Sequence, residues 1–227
     1  MALTLIIGNK NYSSWSLRPW IAMTVAGIAF DEKVIPLYEP GSREQVLAYS
    51  PAGKVPVLID GDVAIWESLA ILEYLAEKFP QARLWPADAR ARGHARVMAN
   101  EMHGGFQALR KNCPMNLWLP VKQRPVPDDA MDNVRRIDAL WSDCRARFGQ
   151  SGPFLFGAFG AADAMYAPVV ARLHSYGIEV SATSHAYMDA VMALPAWAAW
   201  REAALHEPWV MQGNEPDWPL VRGTAVE

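Results

Sequence analysis

Cysteine is nearly absent: Cys113 and Cys144 are the only two in 227 residues. They are too few and too far apart for a disulfide framework or a thiolate metal site, so both are read as reduced. The histidines, His94, His103, His174, His185 and His206, show no HExxH or comparable ligand spacing, and no metal is expected. Long apolar runs are missing as well. No stretch approaches the ~20 residues that cross a bilayer, and the N-terminus lacks a basic region followed by an apolar signal core. This predicts no membrane association and a cytoplasmic setting. Neither sign of charge dominates, because 21 Lys and Arg face 24 Asp and Glu for a net charge of −3, which leaves no footprint for nucleic acid. Arg90, Arg92 and Arg96, set among alanines, read as a solvated helix face. A GxSxG elbow and a Walker-type phosphate loop are also lacking, which removes those hydrolase and nucleotide-binding classes.

What the chain has in quantity is apolar bulk. Hydrophobic residues make up 52%, with ten tryptophans and ten methionines, enough for one large or two small domains with real cores. Leu3 to Ile7 reads as a short buried strand, followed by helix-spaced apolar positions at Leu17, Trp20, Ile21, Thr24 and Val25. A strand is expected over 30–37, because Pro36 fits poorly inside a helix, and parallel pairing with a right-handed crossover is preferred for this strand–helix–strand unit. Ser42 and Gln45 have capping-box spacing for a short helix. Val55 to Ile59 and Val63 to Trp66 flank Asp60-Gly61-Asp62, a hairpin signal, and a helix follows Glu67-Ser68 and stops at Pro80. A small mixed sheet with helices on its faces satisfies this order. Residues 81–87 read as a linker between a first domain over 1–80 and a second over 88–227, where helical periods at about 88–111, 128–148, 162–176, 184–193 and 196–205 predict an all-helical bundle.

Three segments of the first domain carry chemistry. In Asn11-Tyr12-Ser13-Ser14-Trp15-Ser16-Leu17-Arg18, a strand gives way to a helix, and one of the serines caps it. A helix start offers unpaired N–H groups and partial positive charge, so a thiolate, carboxylate or phosphate is favoured beside Ser13 and Ser14. In Ser50-Pro51-Ala52-Gly53-Lys54-Val55-Pro56, the proline opens a strand. A cis Val55-Pro56 bond could turn the Val55 backbone outward to pair with an extended peptide, whereas a trans bond would simply start the strand. In Trp66-Glu67-Ser68, the serine and adjacent N–H groups suit a carboxylate and Glu67 suits an ammonium, together an α-amino acid terminus; ordinary capping accounts for the same pair.

Taken together these segments resemble the glutathione S-transferase superfamily, over nearly the whole chain. The loop Ser50 to Leu58 is similar to the family's loop around a cis-proline, and Glu67-Ser68 to the pair that holds the γ-glutamyl end of glutathione. Ser13 to Arg18 resembles the serine-type, zeta-like motif, with Trp15 standing where zeta members usually have cysteine. Phe159-Gly160-Ala161-Ala162-Asp163 resembles the N-capping box of the central helix, with glycine at a usual Ser/Thr position and Asp163 in a folding role.

The resemblance implies a thioredoxin-like α/β first domain, an all-α second domain, glutathione as co-substrate, no metal and a homodimer. It implies that Ser14 or Ser13 donates a hydrogen bond to the thiolate, with Ser14 favoured because it lies four residues before Arg18. Lys54, Val55, Pro56, Glu67 and Ser68 are then the glutathione contacts, and Arg18 is expected to pair with a carboxylate near the domain interface. Tyr12 and Trp15 would wall a pocket for a small, partly apolar electrophile. Met102, Phe106 and Arg110 share one face of a continuous helix by their spacing and complete it, although bundle core and surface charge explain them equally. Two rival functions stand beside transfer: a zeta-like isomerase or dehalogenase, and a non-catalytic module that docks on a protein partner.

Overall fold

The computed structural model describes residues 3–211. β1 (Leu3–Ile7), α1 (Ser14–Val25), β2 (Phe30–Val34), α2 (Ser42–Leu47), β3 (Val57–Asp60), β4 (Val63–Trp66) and α3 (Ser68–Lys78) form a thioredoxin-like unit. The sheet order is β2-β1-β3-β4, with β2 parallel to β1 and the remaining pairs antiparallel. β1 is central and covered on both sides. Ile6 joins Ile35, Val46 and Val57 in a small core beneath α2, while Leu5 and Ile7 point to the opposite face and join α1 and α3.

A 3-10 turn, Pro80–Ala82, leads to α4 (Ala89–Gly104), α5 (Gln107–Asn112), α6 (Asp128–Phe148), α7 (Ala161–Ser175), α8 (Ala182–Met192) and α9 (Pro195–Leu205). α7 is the buried axis, and α1 packs along it, so one hydrophobic core runs from the sheet into the helical domain. Its start is fixed by Asp163, whose carboxylate accepts from the Gly160 N–H at 2.8 Å and the Leu155 N–H at 3.0 Å. Glycine at 160 has a steric reason. A Cβ there would stand 2.7 Å from the Leu84 carbonyl oxygen, which accepts the Ala161 N–H. No helix among the described residues is long and apolar enough to cross a membrane.

Four expectations need correction. β2 ends at Val34, not 37, and β3 begins after Pro56 rather than at Val55. Ser42 does not cap α2: Gly41 does, at φ 80°, and the Ser42 hydroxyl sits between the carbonyls of Pro36 and Glu39. The helix expected over 88–111 is two helices, because Gly105 is extended and Phe106 turns left-handed at φ 60°. That break removes the four-residue register linking Met102, Phe106 and Arg110. Met102 and Phe106 turn into the hydrophobic core instead.

Candidate active site

A cavity of 790 Å³ opens where three first-domain segments meet the helical domain. It brings together Ser13 and Ser14 at the start of α1, Lys54, Val55 and Pro56 ahead of β3, and Glu67 and Ser68 at the start of α3. Tyr12, Trp15 and Arg110 also line it, whereas Met102 and Phe106 do not. The Val55-Pro56 bond is cis.

The loop that delivers the serines is held from the helical domain. Asn11 is fully buried, its Oδ1 accepting the N–H groups of Leu117 at 2.6 Å and Trp118 at 3.1 Å, and its amide donating to Asn116 Oδ1 at 3.1 Å. Glu207 grips the same loop with both carboxylate oxygens, accepting from the N–H groups of Lys10 and Asn11 at 2.6 and 2.9 Å. Burial pushes the Glu207 carboxyl above its usual range, and those two backbone donors oppose the shift. Tyr12 stands edge-on to Trp118, ring centroids 5.4 Å apart.

The two serines have different surroundings. Ser13 is the N-cap of α1: its hydroxyl donates to Ser16 Oγ at 2.7 Å and accepts from the Ser16 N–H at 3.4 Å, and Ser16 in turn accepts the Gly8 N–H. The Ser14 hydroxyl has no hydrogen-bond partner among the described residues, yet it lines the cavity. Ser13 is occupied with the helix, whereas the Ser14 hydroxyl makes no such bond.

At the third segment, Glu67 takes φ 71° and ψ 122°, a conformation that costs a non-glycine residue about 1–3 kcal/mol and is concentrated at functional sites. It caps α3 by position, presenting the first-turn N–H groups that no preceding turn can satisfy. The Ser68 hydroxyl faces inward, accepting from Arg18 Nη1 at 3.4 Å and pointing to Met165 Sδ at 3.9 Å. His103 Nε2 stands 3.7 Å from Glu67 Oε2, and its ring packs edge-on against Trp15.

Behind these residues lies unbalanced positive charge. Arg18 is 1% exposed, and contrary to expectation no carboxylate among the described residues pairs with it. Its guanidinium instead lies over the Trp15 ring, and Arg110 lies over the same ring. Burial, followed by the fields of Arg110 and Arg172, pulls the Arg18 pKa well below its ordinary value. Burial and then the field of Arg18 likewise lower His103, which favours the neutral imidazole. Cys113, close by, is no alternative nucleophile, since burial pushes its thiol up to about 11. Among the described residues no cluster of three or more His, Cys, Asp or Glu gathers as a metal site.

Family models match both halves of the chain: the glutathione S-transferase N-terminal domain over residues 12–78 and the C-terminal domain over residues 87–203. The chain belongs to the glutathione S-transferase family. A glutathione S-transferase from Triticum aestivum is 26% identical over 230 residues, covering 92% of this chain and 94% of its own. A probable maleylacetoacetate isomerase from Caenorhabditis elegans is 38% identical over 101 residues, covering 44% of this chain and 46% of its own. Among solved structures, a glutathione transferase homologue from Burkholderia, with bound glutathione, matches at a TM-score of 0.67 and 21% identity, covering 90% of this chain and 98% of that one.

For a member of this family, the sequence reading missed the supports of the site. Asn11, Asn116 and Glu207 lie far apart in the chain, and nothing local marks them as one cluster. His103 lacked any ligand pattern. Arg172 did leave a signal, an arginine inside the apolar run Val169-Val170-Ala171-Arg172-Leu173 of the central helix.

Proposed function

We propose that this protein binds glutathione in the cavity and holds its thiol as thiolate beside Ser14 for attack on a small electrophile. The observation that carries the reading is the unpartnered Ser14 hydroxyl at the head of α1, in one cavity with Val55, Pro56, Glu67 and Ser68. Glu67 and the first-turn N–H groups of α3 suit the ammonium and carboxylate of the γ-glutamyl end. Lys54 suits the glycine carboxylate at the opposite end.

The energetics close without a general base. An ordinary thiol titrates near ~8.5, so a drop of ~2 units needs ~2.7 kcal/mol of preference for the anion. A hydrogen bond to a charged group supplies about 1.5–3 kcal/mol and a helix start about 0.3–1 kcal/mol. The Arg110 and Arg172 charges act in the same sense. The sulfur then forms a bond to the electrophilic carbon, whose leaving group departs with its electron pair, and the thiol proton passes to solvent. The proposal includes the domain division at 81–87, a homodimer and a cytoplasmic setting; sedimentation as a 25.2 kDa species would count against the dimer.

Titration of the thiolate absorbance of bound glutathione tests the core of the proposal. Ser14→Ala is expected to raise the bound thiol's pKa by one to two units, while Ser13→Ala costs about 0.5–2 kcal/mol of stability through the lost cap and moves the titration less. An unchanged titration in Ser14→Ala would hand the role to Ser13 or Tyr12. The likeness to a maleylacetoacetate isomerase favours a zeta-like isomerase or dehalogenase as the second reading, and turnover of maleyl or α-halo acids would decide for it. Absence of glutathione binding at millimolar concentration would favour the non-catalytic module.

A further inference from the structure

Among the described residues, the lining of the cavity holds four cationic side chains, Arg43, Lys54, Arg110 and Arg172, against the single carboxylate of Glu67. Bound glutathione, as thiolate, brings two carboxylates, one sulfur anion and one ammonium. A surplus of positive charge therefore remains after glutathione is seated, and Arg18 adds to it from behind Trp15.

The surplus is localised. Arg43 and Lys54 belong to the segments around α2 and Gly53. Arg110 and Arg172 come from α5 and α7, and Arg110 lies over the Trp15 ring. Arg172 is 5% exposed. Its Nε donates to the Cys113 carbonyl at 2.9 Å and its Nη1 to the Pro168 carbonyl at 3.1 Å, which fixes the fork; Nη2 has no partner among the described residues. Arg110 donates Nη2 to the carbonyls of Met102 and His103, while its buried Nε has no partner. Two guanidiniums thus line one cavity within each other's field, each braced by backbone carbonyls, with donors unspent and no carboxylate paired with either among the described residues. Buried charge of this kind is costly unless an anion completes it.

We propose that Arg110 and Arg172 form an anion subsite in the electrophile half of the cleft, and that the second substrate carries a carboxylate. The inference rests on the proposed binding of glutathione in the same cavity. It replaces a merely small and apolar electrophile with an anionic one, held by the guanidiniums while its carbon faces the sulfur at Ser14.

A matched pair of probes tests it: 4-chloro-3-nitrobenzoate and its neutral carboxamide, together with the glutathione conjugate of each. The acid is expected to exceed the amide at least tenfold in kcat/KM, and its conjugate to bind at least tenfold more tightly by calorimetry, a readout that needs no turnover. Arg110→Gln, at a half-buried position, should bring both ratios down toward one. Arg172→Lys should lower them less than Arg172→Met, since the ammonium keeps the charge but not the fork. Equal affinity for the two conjugates, with glutathione binding intact, overturns this inference alone. Failure of glutathione to bind overturns it together with the proposed function.

Discussion

The guanidinium carbon of Arg18 sits 4.1 Å from the centre of the Trp15 ring, and that of Arg110 sits 4.7 Å from the same centre. Each cation meets the electron-rich ring with no carboxylate paired to it among the described residues, an attraction worth about 0.5–1 kcal/mol when exposed and about 2 when desolvated. Trp15 is the residue at which the helix-start motif departs from the zeta-like pattern, and these contacts are what the departure provides. Trp15→Cys, which restores the usual residue, is therefore expected to lower stability by about 1–3 kcal/mol. Chemical denaturation reads this directly, and an unshifted midpoint would show that the ring does nothing for the cations.

Asn11 supports a second expectation, because its carboxamide satisfies two backbone donors and one side-chain acceptor of the helical domain while fully buried. Asn11→Leu keeps the volume and strands the N–H group of Leu117, while the Trp118 N–H keeps Asn116 Oδ1 at 3.0 Å. At about 1–3 kcal/mol for an unsatisfied buried group, a loss of that size is expected in the unfolding free energy. A loss below 1 kcal/mol would mean that the loop is held by Glu207 alone.

Asp163 gives a pH dependence with a definite sign. Burial, opposed by its backbone donors, pushes its carboxyl up to about 6 in the folded protein, against ~3.9 in an unfolded chain. The folded state thus takes up this proton first as pH falls. Its contribution to stability is complete below ~4 and is lost as pH rises through about 6. The stability difference between the wild type and Asp163→Asn should therefore shift toward the wild type between pH 7.5 and pH 5, by no more than about 3 kcal/mol. A difference that stays flat across that range would show that the carboxylate remains charged in the core.

Much of this was legible in the sequence because it depends on local order. The continuous burial of β1, the Asp60-Gly61-Asp62 hairpin, the extent of α6 over 128–148 and the serine cap at the start of α1 each reflect steric and hydrogen-bonding preferences spanning a few residues. Glu67-Ser68 could be paired with Val55-Pro56 for the same reason, each being a recognisable element boundary.

What failed in the sequence reading were statements about what faces what. Met102, Phe106 and Arg110 share a face only on an unbroken helix, and the left-handed turn at Phe106 sends the first two into the core while Arg110 reaches the cleft. The carboxylate expected beside Arg18 near the domain interface is not found among the described residues; packing gives it an indole and a serine hydroxyl.

The sequence by itself determined most of the elements, the two-part architecture and the hydroxyl-rich start of α1, since each is written in neighbours along the chain. The tertiary structure alone decided that Ser13 is spent on its helix while the Ser14 hydroxyl has no partner among the described residues, that Asn11 and Glu207 lock the loop between them, and that Arg110 and Arg172 line one cavity. Those outcomes depend on which surfaces meet when α1 packs against α7, and no periodicity along the chain encodes the distance between residues so far apart in it.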